Sequence, residues 1–255
     1  ATSPVAFLNV VVNNATGSTL TASRGTTFTT TVDGVSYSYL VKDDTTITPN
    51  DGVYTFSSLP VYEGTLINNK YTVDTTNADQ RFLIKNNLAD TTTLKVTVQN
   101  SSSDSTTNTY TLATDLADID SSSKVYYLEG AEDQQYEVKF GDGVLGAALS
   151  TGNIVTLSYI VTSAEESNGA SSFSLSGNLG GFSNVTITTA TNSANGAQPE
   201  TPDSIRFNAP KQYAAQNRTV TTNDYASKVK QIYTNAKSVS VWGGEDNDTP
   251  VYGRV

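Results

Sequence analysis

Three groupings of residues have the types and spacing that invite chemistry. Phe140-Gly141-Asp142-Gly143-Val144-Leu145-Gly146, followed by Gly152 and Tyr159, sets one carboxylate among glycines. As chemistry this would be a catalytic aspartate, or a glycine cradle for a phosphate at a helix start. A phosphate loop leads into a helix and carries a Lys-Ser/Thr pair, whereas a strand-type run follows here. The pattern therefore predicts a tight turn between two strands, with Asp142 accepting hydrogen bonds from its own backbone. Glu245-Asp246-Asn247-Asp248 clusters oxygens that suit a hard cation, but the central Gly and distal Glu of a calcium loop are missing. An exposed loop is expected there. Asp115, Asp118 and Asp120 alternate with Leu116, Ala117 and Ile119, which predicts a short connector with solvated carboxylates.

The absences narrow the chemistry further. With no His and no Cys, the chain lacks the commonest general base, thiolate nucleophiles, disulfides and the usual transition-metal ligands. Twenty-five acidic residues would allow many glycosidase-type pairs, and nothing in the sequence selects one. The expected set of catalytic residues, cofactor-binding residues and metal ligands is therefore none, and interface residues are not readable from spacing alone.

Fifteen basic against 25 acidic residues give a net charge of −10, which would repel a phosphate backbone rather than release its counterions. Nucleic acid is not an expected partner. Neither is a membrane: Lys/Arg clusters are missing, and no apolar run approaches the ~18 residues of a spanning helix. The start has no signal-peptide pattern. Hydroxyls and amides fill much of the composition, yet 14 Tyr and 8 Phe spread through 255 residues argue for a packed core over disorder. The absence of Met, and a closing Val251-Tyr252-Gly253-Arg254-Val255 that reads as the opening of a strand, suggest one portion of a longer protein.

The elements that must position these groups are mostly strands. Phe7 to Val12 is a short buried-type run, and Val35 to Val41 alternates at period two. Asp33-Gly34 is a hairpin signal between Phe28–Val32 and that strand, and Pro49-Asn50-Asp51-Gly52 precedes Val53–Phe56. Tyr37/Tyr39 and Tyr136/Tyr159 have the spacing of core aromatics. A second rhythm starts at Arg81, with Phe82–Ile84 and Leu94–Val98 expected to pair around Asn86-Asn87. It continues through Val125–Leu128, Tyr136–Phe140 and Ile154–Val161 to a last strand at Val185–Thr188. Residues 101–108 and 164–171 read as surface loops.

The period changes after Pro199. Thr201-Pro202 fits an N-cap with proline at the first helical position, and Pro210 is expected to end that helix and begin another. Thr221-x-x-Asp224 resembles a capping box, and Tyr225, Val229, Ile232 and Tyr233 share one helical face. Ser238–Trp242 returns to period two, and the helical face is expected to pack on it. The fold class expected is mainly β with a small C-terminal α/β unit (helix-helix-strand). Three modules are expected: a β module over 1–80, a β module over 81–195 carrying the FGDGVLG turn, and an α/β module over 196–255, truncated at its C-terminus.

Pro199-Glu200-Thr201-Pro202-Asp203-Ser204-Ile205-Arg206, then Ala209-Pro210, then Arg218-Thr219-Val220-Thr221-Thr222-Asn223-Asp224-Tyr225, resembles the baseplate-J family of contractile phage tails. The glycine motif with Tyr136, Val138 and Phe140 before it resembles the same family's β region, and together the motifs span about residues 125–242. Within the family, the low-charge Asn/Thr-rich modules look most like the C-terminal part of the large baseplate wedge members of T4-like phages. The resemblance implies a structural role in the virion's tail baseplate, assembled in the host cytoplasm. It implies partners of two kinds: copies of itself, as a homodimer and in a ring around the hub, and other baseplate wedge proteins. It carries no catalytic residues and no cofactor. Two other readings stay open on residue types, a β-rich adhesin or carbohydrate-binding tail protein and a tail-associated glycan hydrolase.

Overall fold

The computed structural model describes residues 1–13, 16–216, 218–233, 236, 238–251 and 253. The expected strand opening at 251–255 lies largely outside them. The chain begins with β1 (Val5–Asn13), β2 (Leu20–Ala22), β3 (Thr27–Val32), β4 (Val35–Val41), β5 (Thr45–Ile47) and β6 (Val53–Glu63). Next come β7 (Thr65–Thr72), β8 (Phe82–Ile84), β9 (Ala89–Gln99), β10 (Thr107–Leu112), β11 (Val125–Gly130), β12 (Tyr136–Phe140) and β13 (Ile154–Val161). Strands β14 (Ser174–Ser176) and β15 (Thr186–Ala194) precede the helices α1 (Pro202–Ala215) and α2 (Thr222–Ile232).

The protein is mainly β, with two curled sheets, a half-barrel and a near-barrel, followed by the two helices. One sheet has the order β14-β3-β4-β6-β1-β15 and the other β7-β13-β9-β10-β11-β12-β8, while β2 and β5 form a separate ribbon. Residues 65–161 are thus inserted into a unit built from both flanks, whose ends are tied by the Thr2↔Ala197 bridge. Strand β7 falls within 1–80 yet pairs in the second sheet, and β14 and β15 fall within 81–195 yet pair in the first. Period-two patterns identify strands and faces but not partners.

Local signals act as their chemistry dictates. Asp33 and Gly34 take φ of 49° and 83°, the left-handed pair that a two-residue hairpin needs, and Val32 pairs with Val35 across it. Asp51 and Gly52 repeat this at φ 47° and 77° under the Asn50↔Val53 bridge. Strand β1 alternates as the period-two rule requires: Leu8, Val10 and Val12 are buried against Phe28, Tyr39, Tyr54 and Phe56. A second core gathers Ile84, Val96, Val98, Val138 and Leu157, with edge-to-face contacts running Tyr71–Phe82–Phe140–Tyr110 at centroid separations of 5.5, 5.3 and 5.5 Å. Each such side chain contributes about 1.5–3 kcal/mol by leaving water.

The two cores are separate, and the seam between them is polar. Among the described residues, six of the nine buried polar ones lie there: Ser3, Glu63, Asp90, Thr93, Ser158 and Thr162. Asp90 Oδ2 accepts from Ser3 N at 2.8 Å, and Glu63 Oε2 accepts from Thr162 Oγ1 at 2.5 Å and Ser163 N at 2.9 Å. The Arg24 guanidinium spans the seam, donating to Lys42 O on one side and to Thr93 O (2.9 Å) and Ser158 O (3.0 Å) on the other. Burial lowers its pKa, opposed by Asp43 and Asp44.

Several expectations are corrected. Strands β8 and β9 do not pair with each other: β8 joins β12, and β9 lies between β13 and β10. Residues 101–108 are only partly loop, because β10 starts at Thr107. In the segment 164–171, Ala164, Ser167 and Ala170 are buried, because Tyr39 Oη bonds Ser167 Oγ at 2.7 Å and draws the segment onto the first core. Pro210 does not end a helix, since α1 runs through it to Ala215. The carbonyl that Pro210 leaves without a donor belongs to exposed Arg206, where water can take the donor's place. Ser238–Trp242 forms no strand among the described residues, so the helix-helix-strand unit reduces to the helix pair and irregular chain. Period two creates a strand only where a partner edge is at hand.

Candidate functional site

No one of the three groupings becomes a reactive centre. In the glycine turn, Asp142 Oδ1 accepts from Val144 N at 2.9 Å and Leu145 N at 3.0 Å, and Gly143 N donates to Gly146 O at 3.0 Å. Those two bonds, Leu145's first, hold the Asp142 carboxyl below the usual aspartate value. The amides a phosphate would need are spent inside the turn. Gly141 must be glycine, because a Cβ there would sit 2.2 Å from the Gly146 carbonyl carbon. Val144 and Leu145 are left exposed at the tip.

Asp115 Oδ1 accepts from Ala117 N at 2.9 Å, and Asp120 Oδ1 from Ser122 N at 2.9 Å and Ser123 Oγ at 2.8 Å. Both are local turn caps. Asp246 Oδ2 bonds Gly243 N at 3.3 Å in a short 3-10 turn, Gly244–Asp246. Among the described residues, no group of three or more carboxylates is placed to hold a metal ion.

The helix pair is the more informative feature. Thr201 takes extended backbone and its Oγ1 accepts from Ser204 N at 3.3 Å, with Pro202 opening α1. Gln216 ends α1 in the left-handed region at φ 46°. In α2, Thr221 Oγ1 accepts from Asp224 N at 3.2 Å while Asp224 Oδ2 accepts from Thr221 N at 2.9 Å and Val220 N at 3.2 Å. This is the reciprocal capping box the spacing predicts. The face it presents is not covered: Tyr225, Val229, Ile232 and Tyr233 are all exposed, Ile232 at 75%. Lys211 Nζ lies 3.5 Å from the Phe207 ring centroid on α1. A groove of ≈ 1000 Å³ separates the helices from the chain start and residues 130–136, with Tyr136 on one wall and Phe207 and Lys230 on the other.

Sequence reasoning missed Arg24, Glu63 and Asp90. Arg24 did carry a signal: it is the first Lys or Arg in the chain, with none again until Lys42. A lone cation in so neutral a stretch invites a search for acceptors.

The capping box gives a pH dependence. The backbone amides of Thr221 and Val220, in that order, hold the Asp224 carboxyl below the usual aspartate value. A depressed carboxyl contributes stability above the unfolded pKa and loses it as pH falls through the folded one. Helix α2 is therefore expected to fray at its N-terminus below about pH 4, with Asp224→Asn largely removing the transition. Amide hydrogen exchange at Asp224 and Tyr225 across pH 2–6, roughly the carboxylate range, reads this out; a pH-independent rate ratio between the two proteins would contradict it.

Residues 221–255 match the family model described as "Baseplate structural protein gp6, C-terminal domain I". The match begins at the α2 cap and covers the segment after it. No curated protein matches the chain. A short segment similar to a baseplate structural domain thus coincides with the part of the chain whose apolar side chains are least covered.

Proposed function

We propose that this chain is a structural component of a contractile phage tail baseplate, in the wedge. It self-associates into dimers and a ring around the hub, and scaffolds other wedge proteins. The observation that carries the reading is the match of residues 221–255 to a baseplate structural domain. The uncovered apolar face of α2, which lies within the matched segment, supports an assembly role, because buried interface cores are built from such side chains. The work proposed needs no activated nucleophile and no perturbed acid–base pair.

Sedimentation over a wide concentration range tests the reading: the pure protein is expected to associate as concentration rises. A strict monomer throughout would overturn self-association, and turnover of peptidoglycan or polysaccharide would overturn the structural role. A carbohydrate-binding reading draws on exposed Tyr213, Tyr233 and Trp242. It would be favoured by glycan binding that Trp242→Ala abolishes.

A further inference from the structure

Residues 65–161 leave the first module and return to it at one place, where Val161 pairs with Thr65 on one side and Ala89 on the other. Among the described residues of this insert, four large hydrophobic side chains are exposed: Leu112, Leu116, Val144 and Leu145. All four sit at the end of the β11–β12 hairpin where β11 begins at Val125 and β12 ends at Phe140. The opposite end, with Gly130 and Tyr136, lines the groove that Ala1 and Thr2 also line. The apolar side chains therefore gather at the end that lies away from the first module. Val144 is 71% exposed and Leu116 61%, and clusters of this kind mark interaction surfaces.

Two loops form the patch, and they are bonded into one piece. Gly146 N donates to Asp120 O at 3.0 Å and Ala147 N to Ser123 O at 2.8 Å, while Tyr127 Oη donates to Leu145 O at 3.2 Å. With Asp142 capping Val144 and Leu145, little freedom remains to be lost on binding.

The patch is also acidic. Residues 112–124 and 141–147 hold Asp115, Asp118, Asp120 and Asp142 against one cation, Lys124, which donates to Asn108 Oδ1 at 2.6 Å. Asp115, Asp120 and Asp142 bind their loops through Oδ1, which among the described residues leaves Oδ2 of each for an outside donor. Leucine and valine ringed by such carboxylates complement apolar side chains flanked by Lys or Arg. A phosphate backbone or an anionic lipid surface meets like charge here. A second copy of the chain brings 25 acidic against 15 basic residues, and its own exposed apolar stretch, 199–251, holds six of each. None of these supplies the complement.

We propose that this end of the insert is a docking surface for a different protein, one whose apolar contact residues are flanked by Lys and Arg. This rests on the scaffolding reading above and deepens it by giving the chemistry of the partner. Leu112, Leu116, Val144 and Leu145 supply the area removed from water, and the four aspartates steer the encounter and reject acidic competitors.

Titration of the whole isotope-labelled chain, followed by amide chemical shifts, tests this with three peptides: an amphipathic helix of Leu and Lys, the same with Glu for Lys, and the same with Ser for Leu. The Leu/Lys peptide is expected to shift residues 112–120 and 142–147, and the other two to leave them unmoved. D115N/D118N, which keeps a capping oxygen at position 115, and Val144→Ser should each weaken binding about tenfold. All three positions are exposed, so melting curves should stay close to wild type. If the Leu/Lys peptide leaves the patch unmoved, binds the variants as tightly as wild type, or is matched by the Leu/Glu peptide, the docking surface is wrong. Sedimentation with the other wedge proteins, each purified, separates this from the scaffolding reading. A wedge protein that binds wild type and both variants alike overturns the patch and leaves scaffolding standing. A chain that binds none of them defeats scaffolding, and the peptide titration alone then decides the patch.

Discussion

Gly64→Ala is expected to cost about 4 kcal/mol of folding stability. Gly64 is where the chain leaves β6 in the first sheet and enters β7 in the second. Its φ is 133°, which L side chains rarely adopt, so any Cβ is strained whatever the space. The space is also taken: a Cβ would lie 2.4 Å from Val161 O and 2.5 Å from Ile160 Cγ2. Val161 pairs with Thr65 and closes the insert, so neither neighbour can retreat without breaking the ladder that joins its two ends. Urea denaturation should show a large fall in the midpoint, or insoluble protein. A variant within a few tenths of a kcal/mol of wild type, a shift typical of neutral surface changes, would mean that the crossing is not built as described.

Arg24→Ala is expected to cost about 3 kcal/mol. The guanidinium satisfies carbonyls of Lys42, Thr93 and Ser158 that come from both modules, and Ser158 Oγ accepts from its Nε at 3.3 Å. Removal leaves these acceptors facing each other across a partly buried seam, and each stranded acceptor is worth roughly 1–3 kcal/mol before water relieves it. Arg24→Lys should recover only part of the loss, because one ammonium cannot reproduce the planar fork. The distinguishing measurement is hydrogen exchange at Ser158 and its neighbours on β13. Faster exchange confined to the seam supports the clamp, whereas an even increase throughout would say that Arg24 stabilises without joining the modules.

Both predictions come from the seam, which was the least legible part of the chain. Asp33-Gly34, Thr201-Pro202 and Thr221-x-x-Asp224 could be read because every atom involved lies within a few residues, and local sterics decide the outcome. The Asp142 turn was legible for the same reason. By contrast, Ser3 meets Asp90 across 87 positions and Arg24 meets Ser158 across 134. No spacing rule reaches that far. Pro210 and Ser238–Trp242 show the opposite failure, a clear local signal overruled by context. The helix continues where water can satisfy the freed carbonyl, and the strand pattern finds no edge to join.

The sequence by itself determined the β character, the turns, the capped helices and the similarity of residues 221–255 to a baseplate structural domain, all properties of neighbouring residues. It also determined that the chain offers no His or Cys chemistry. Only the tertiary structure decided that residues 65–161 are inserted into the first module, that buried polar groups collect at the junction, and that the helix face stays open. Those outcomes depend on which surfaces meet after the chain turns back on itself. A strand's period specifies the face it must bury, not the partner that buries it.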